Sequence, residues 1–211
     1  MIDGLRVIWR GLNSVRIQGY SYIWANLAFF FLCLPVVTMP AALSALFRVG
    51  YVAHTEPHES DLSLFWETFR ENLWRALPWG LAHAAFAIVN FTNLFSYAGT
   101  PGLLAESLRL VWIASGMVWA GIMLYTWPIY YAMEQPNLMQ ATRNAFIMVV
   151  RNPFFTTTIL AGLLLLAAIS TILVAAWVLL TWGAVSAIAN AAVLDRLSVF
   201  RASAAKEYGI H

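Results

Sequence analysis

From Phe154 to Thr181 the chain carries no charged residue, and its only polar side chains there are hydroxyls and one indole. A helix needs about 20 mostly apolar residues to cross the hydrocarbon core of a bilayer, so this run alone points to a membrane. The rest of the chain shares the bias. Hydrophobic residues make up 61% and charged residues 10%, where a soluble domain carries about a quarter charged, and the mean hydropathy is +0.71. A 211-residue chain cannot hide such an excess in one aqueous core. The sequence therefore specifies an all-α integral membrane protein. A formal charge of +2 without a basic cluster gives no footing for nucleic acid. The single cysteine, Cys33, excludes an internal disulfide and a thiolate metal cluster.

Pro78–Tyr97, Leu108–Met133 and Phe154–Thr181 are the clearest predicted spans. Tyr20–His54 is a longer apolar stretch interrupted at Leu34–Pro40, and Val185–Ala204 begins apolar but then carries Asp195, Arg196 and Arg201. The interruption fits a kink in one span or a tight turn between two. Two prolines remove backbone donors and disfavour helix just before each, while Thr38 is suited to cap a helix that restarts at Met39-Pro40.

Charge placement separates the alternatives. With a hairpin at Leu34–Pro40 there are six crossings, and one side receives Arg6, Arg10, Arg16, Arg48, Arg70, Arg75, Arg143, Arg151, Arg196, Arg201 and Lys206, leaving only Arg109 opposite. Basic residues favour the cytoplasmic side, which predicts both termini there; one kinked span would instead split the charges almost evenly. In this topology Met39–His54 is a short span, and Arg48 must snorkel from within it.

Three segments on the basic side have helical amphipathic spacing. Gly4–Ile17 has Leu5, Ile8, Trp9, Leu12 and Val15; Asp61–Leu77 has Leu62, Phe65, Trp66, Phe69 and Leu73; Asn137–Arg151 has Leu138, Ala145, Phe146 and Val149. Each reads as a helix lying at the membrane interface, and Asn137 with Gln140 resembles a capping box. The order predicts three hairpin units, about residues 1–55, 56–134 and 135–211, each an amphipathic helix followed by two spans, within a single membrane domain.

Trp24-Ala25-Asn26-Leu27 running into Leu34-Pro35-Val36-Val37-Thr38-Met39-Pro40-Ala41-Ala42-Leu43 resembles the N-terminal signature of the YesL-like bacterial membrane proteins. Leu64–Leu73 resembles that family's aromatic-basic cytoplasmic segment, and Asn144-Ala145-Phe146 with Arg151-Asn152 its third helical segment. The chain departs from the pattern at Met39, where the family often has glycine. The family is a domain of unknown function, with members often encoded beside carbohydrate ABC importers. The resemblance implies a non-enzymatic accessory subunit of an oligosaccharide importer in the bacterial plasma membrane, touching the bilayer and permease subunits.

The alternative is an independent small-solute transporter or channel, for which His83, Asn90, Asn93 and Asn190 are the candidate polar path. His83 and Asn90, seven residues apart on one helix face, equally fit a polar packing seam. Phe65, Trp66, Phe69 and Arg70 are the candidate partner-docking surface on the cytoplasmic helix. No nucleotide loop, metalloprotease helix or nucleophile elbow is present, and His83 lacks nearby acid–base or ligand company, so no catalytic residue, metal or cofactor is expected. Asp195 and Arg196 do not share a helix face, so they require an interfacial position or partners on other helices.

Overall fold

The computed structural model describes residues 2–208, with side chains to Ala205, and its regular elements are all helical. Lys206, counted above among the cytoplasmic cations, lies outside the described side chains. In chain order the helices are α1 (Ile2–Ile17), α2 (Gly19–Leu32), α3 (Met39–Thr55), α4 (Leu62–Asn72), α5 (Leu77–Tyr97), α6 (Leu103–Ala132), α7 (Leu138–Arg151), α8 (Pro153–Ile172), a short α9 (Val174–Ala176), a π-helical turn (Trp177–Thr181) and α10 (Trp182–Tyr208).

Four helical stretches are long and apolar enough to cross a membrane: Val36–Thr55, Leu103–Ala132, Pro153–Ile172 and Val174–Ala205. This marks a membrane protein. Two predicted spans fall short of that measure for different reasons. Helix α2 has 14 residues, about 21 Å of helix at 1.5 Å per residue. Helix α5 is long enough at 21 residues but is diluted by His83, Asn90 and Asn93.

The chain does break at Leu34–Pro40, by a mechanism other than the expected cap. Helix α3 starts at Met39 with Pro40 in its first turn, but the Thr38 hydroxyl makes no capping bond. It donates backward instead, to the Leu32 carbonyl and to Pro35 O at 2.7 Å, closing the frayed end of α2. At the far end of α3, Ser21 Oγ donates to Ser60 O at 2.5 Å, bringing the residues after α3 back to the start of α2.

The last predicted pair of spans needs a correction of boundary. Phe154–Thr181 is not one helix: α8 stops at Ile172, Leu173 leaves helical geometry (φ −108°, ψ 75°), and Trp177–Thr181 belongs to the following helix. No glycine or proline marks this break. The chain folds back there, with Thr181 Oγ1 donating to Ser170 Oγ across the turn at 2.7 Å.

Helices α3 and α10 form the centre. In each candidate span 61% of the apolar window is buried, against 11% for α6 and 22% for α8. Small residues make this possible: Gly50 of α3 meets Ser186 and Asn190 on a stretch of α10 whose buried residues include Ala184, Ala187, Ala189, Ala191 and Ala192. A Cβ on Gly50 would overlap Ser186 Oγ and lie 2.8 Å from Asn190 Nδ2, so glycine allows this approach without displacing either side chain. The C-terminal half of α6, from Leu124 to Tyr130 around Pro128, packs on both.

The amphipathic helices α1, α4 and α7 each pack against a long helix: α1 on the distant α8 and α10, α4 on the preceding α3, and α7 on the preceding α6. The apolar stripe read on α1 divides, with Val15 turned to the protein and most of its larger members turned outward. Gly4, Val7, Gly11 and Val15 are buried, whereas Leu5, Trp9 and Leu12 point outward. Helix α7 repeats the arrangement, burying Ala141, Ala145 and Val149 and exposing Met139, Phe146 and Val150. The expected cap on α7 is present, since Asn137 Oδ1 accepts from the Gln140 N–H at 3.0 Å.

Candidate functional site

Helices α5 and α6 meet along a seam with two polar fastenings. Asn90 Nδ2 on α5 donates to Trp112 O and Ser115 Oγ on α6, both at 3.0 Å. Two turns away, Trp119 Nε1 of α6 donates to His83 Nδ1 at 3.0 Å. Gly116 lies between them, where a Cβ would approach Asn90 Oδ1 at 3.2 Å. The pairings run in opposite directions along the two helices, so α5 and α6 are antiparallel neighbours. His83 and Asn90 therefore share one interface, as their seven-residue spacing predicts.

The other two residues of the predicted polar path lie apart. Asn93 bonds back to Val89 O on its own helix at 2.7 Å. Asn190, fully buried between α3 and α10, donates from Nδ2 to Phe47 O at 3.1 Å and Ser186 O at 2.9 Å. Ser186 Oγ in turn donates to Leu46 O at 2.9 Å.

Around His83 the seam opens into an aromatic cleft. The Trp79 ring lies 4.3 Å from the His83 ring and 5.4 Å from Trp127, while Phe86 stacks on Trp119 at 5.7 Å. Where α7 joins, Phe146 and Arg143 complete a cleft of about 660 Å³. On the other side of the same rings, Met39, Pro40 and Gly80 bound a smaller cavity of about 180 Å³. Because Nδ1 accepts from Trp119, the neutral His83 ring carries its proton on Nε2. Trp79 Nε1 is buried without a partner among the described residues. The cleft thus has apolar aromatic walls, with the His83 ring among its lining groups. Among the described residues no three His, Cys, Asp or Glu side chains lie close enough to hold a metal.

The predicted docking surface on α4 divides in two. Phe65 and Phe69 are buried within the fold, whereas Trp66 and Arg70 face outward beside Ser63, Glu67 and Glu71 in a shallow concavity. Asp61 caps this helix, accepting from the Leu64 N–H at 2.9 Å and from the Ser63 hydroxyl at 2.8 Å. These bonds, the backbone one foremost, hold its carboxyl below the ordinary value of 3.8.

One site escaped the sequence reading, and a second was read only as needing partners on other helices. Asn26 reaches the π-helical turn: its Nδ2 donates to Trp177 O at 3.1 Å and Val178 O at 2.6 Å, and its Oδ1 accepts from the Gly183 N–H at 2.8 Å. A π turn displaces the regular backbone bonds, and one carboxamide satisfies groups on both sides of the displacement. The second is ionic. Arg196 donates to Asp195 Oδ2 at 2.6 Å despite being its neighbour, lies 3.6 Å from Asp3, and stacks over Phe155 at 4.3 Å; Arg10 lies 3.8 Å from Asp195. The long guanidinium arm reaches where helix-face geometry alone does not, and α1 supplies the remaining partners.

Asn26, the Leu34–Pro40 turn and all of α4 fall within the stretch that comparison recognises. Residues 22–94 match the family model described as "Protein of unknown function, DUF624". The YesL-like resemblance fits that family. No curated protein and no solved structure matches the chain. The DUF624 segment runs from α2 to near the end of α5, so it contains His83, Asn90 and Asn93 but not the α6 partners of His83 and Asn90.

Proposed function

We propose that the chain is a non-enzymatic integral membrane accessory subunit that associates with a carbohydrate ABC importer. In this reading it crosses the bacterial plasma membrane six times, as three hairpins with cytoplasmic ends. The observation that carries the accessory role is the use made of the interior polar side chains. Asn26, Asn90, Asn190 and Ser186 each fasten one helix to another. Polar groups in a membrane interior mark either a path or a fastening, and bonds of this kind favour the fastening.

Convergence of the basic residues supports the topology. Arg75 donates to Tyr130 on α6 at 3.1 Å, and Arg48 lies 5.1 Å from the Tyr131 ring. Arg151, Arg196 and Arg201 border one cavity with Ile129. Five cations from four sequence stretches thus gather near the C-terminal end of α6. Arg48 snorkels into an aromatic and hydroxyl-rich environment. A 14-residue α2 crosses only where the bilayer thins or flanking residues snorkel.

Purification in mild detergent after co-expression with importer permease subunits tests the association. The proposal expects the permease to be retained, and retention to fall when outward-facing Trp66 and Arg70 are both replaced by alanine. Recovery of the chain alone across several detergents would overturn it. The transporter reading retains one supporting observation, the cleft of about 660 Å³ lined by His83. It predicts solute uptake into reconstituted liposomes above empty controls, and loss of that uptake in His83→Phe.

A further inference from the structure

A further cavity, of about 340 Å³, lies where α7 and α10 meet the end of α6. Its apolar floor includes Ile129, Met133 and Leu197, and Phe200 forms one wall. Three guanidinium groups border it: Arg151 at the end of α7, and Arg196 and Arg201 on α10. Their roles differ. Arg196 is engaged by Asp195 and Asp3 and stacked on Phe155, which fixes it as a wall. Arg151 and Arg201 are exposed and have no carboxylate within 4 Å among the described residues. Asn144 and Asn152 add polar groups at the rim.

We infer that this cavity binds a phosphate-bearing anion between Arg151 and Arg201, with the apolar floor taking the acyl portion of an anionic phospholipid. Planar guanidinium forks match phosphate oxygens through paired charge-assisted bonds. Anionic lipid headgroups are drawn to basic residues at the membrane surface. The cavity joins both chemistries: cations at the rim, apolar side chains beneath, and exposed Ile147, Val150 and Phe200 beside it to flank acyl chains. The inference rests on the membrane reading but not on the importer association, so failure of co-purification leaves it standing.

The test uses the delipidated full chain in neutral detergent, titrated with phosphatidylglycerol or phosphatidylcholine and observed by native mass spectrometry. The expected result is one saturable phosphatidylglycerol adduct, preferred about tenfold over phosphatidylcholine. In the double variant Arg151→Gln, Arg201→Gln, that affinity falls at least tenfold; in Arg109→Gln it is unchanged. Equal binding of both lipids, an unaffected double variant, or an equal loss in Arg109→Gln would overturn the site. Inorganic phosphate, followed by calorimetry, separates the sources. If it binds with the same arginine dependence and the lipid binds no tighter, the phosphate site stands and its lipid occupant is overturned. Substitution of both arginines by lysine keeps the charge and is expected to recover part of the affinity. An unchanged gel-filtration profile identifies variants that remain folded.

Discussion

Replacing Asn26 by alanine removes three hydrogen bonds from one buried side chain and tests whether the π turn depends on it. The bonds go to Trp177 O, Val178 O and the Gly183 N–H. Between membrane helices such bonds average about 0.6 kcal/mol and reach about 1.7 kcal/mol. Three of them give about 2–5 kcal/mol if all are lost and the backbone does not repair itself. Relaxation of Trp177–Thr181 into regular α-helix would recover part of this, but it would rotate α10 relative to α9 and disturb Gly183, whose Cβ position is 3.3 Å from Tyr22 O. Reversible unfolding in mixed micelles, followed by tryptophan emission, measures the loss. Trp177 and Trp182 flank the turn with rings 6.3 Å apart, so they report directly on it. Asn93→Ala is the control, because Asn93 bonds only to its own helix; it is expected to change stability by less than about 0.5 kcal/mol. An Asn26→Ala loss no larger than the control's would refute the fastening role.

Gly50→Ala is expected to destabilise by about 1–3 kcal/mol through overpacking, and Ser186→Gly in the same chain to restore much of it, since a Cβ on Gly50 meets the Ser186 side chain; thermal unfolding in detergent reads both. Topology is checked by placing single cysteines in a Cys33→Ser background. An impermeant maleimide is expected to label Gly99→Cys in intact cells but His58→Cys and Gln135→Cys only after permeabilisation, and labelling of His58→Cys from outside would remove the return of α3. The Asp61 cap gives a pH test. Because its carboxyl is held below 3.8, its contribution to α4 is present above that value and fades as pH falls through the depressed one. The hydrogen-exchange protection factor of α4, taken relative to the intrinsic exchange rate at each pH, is therefore expected to fall on acidification in the native chain, and less so in Asp61→Asn, whose side-chain oxygen keeps the cap without titrating.

Much of the helix order was legible because it follows from periodicity and a few strong breakers. Pro35 and Pro40 stop and restart the chain where they stand, and Asn137 caps α7 as its position implies. The break at Leu173 was not legible. The segment from Ser170 to Thr181 contains no glycine or proline, and the turn is held by tertiary bonds, Thr181 to Ser170 and Asn26 to the π turn. A composition rule has no access to a partner more than 150 residues away. The same reason hides the role of Asn26 and explains why His83 and Asn90 could be paired by helix spacing whereas Asn190 could not be placed with them.

The division of the α1 stripe shows how far amphipathic spacing can be taken. Hydrophobicity marks Leu5, Ile8, Trp9, Leu12 and Val15 as the apolar stripe, and on a soluble helix that stripe would meet the core. Here the protein-facing stripe is Gly4, Val7, Gly11 and Val15. A Cβ on Gly11 would come within 2.6 Å of the Ile188 backbone, so α1 lies almost directly on α10. In a bilayer, large apolar side chains gain nothing by choosing protein over lipid, and close packing of small residues becomes the distinguishing contact. Leu5, Trp9 and Leu12 are then free to anchor the helix in the interface. Helix α7 obeys the same rule with Ala141, Ala145 and Val149 inside and Phe146 and Val150 outside. The small residues that a hydropathy pattern discounts therefore locate the intramolecular face, and the large ones locate the membrane.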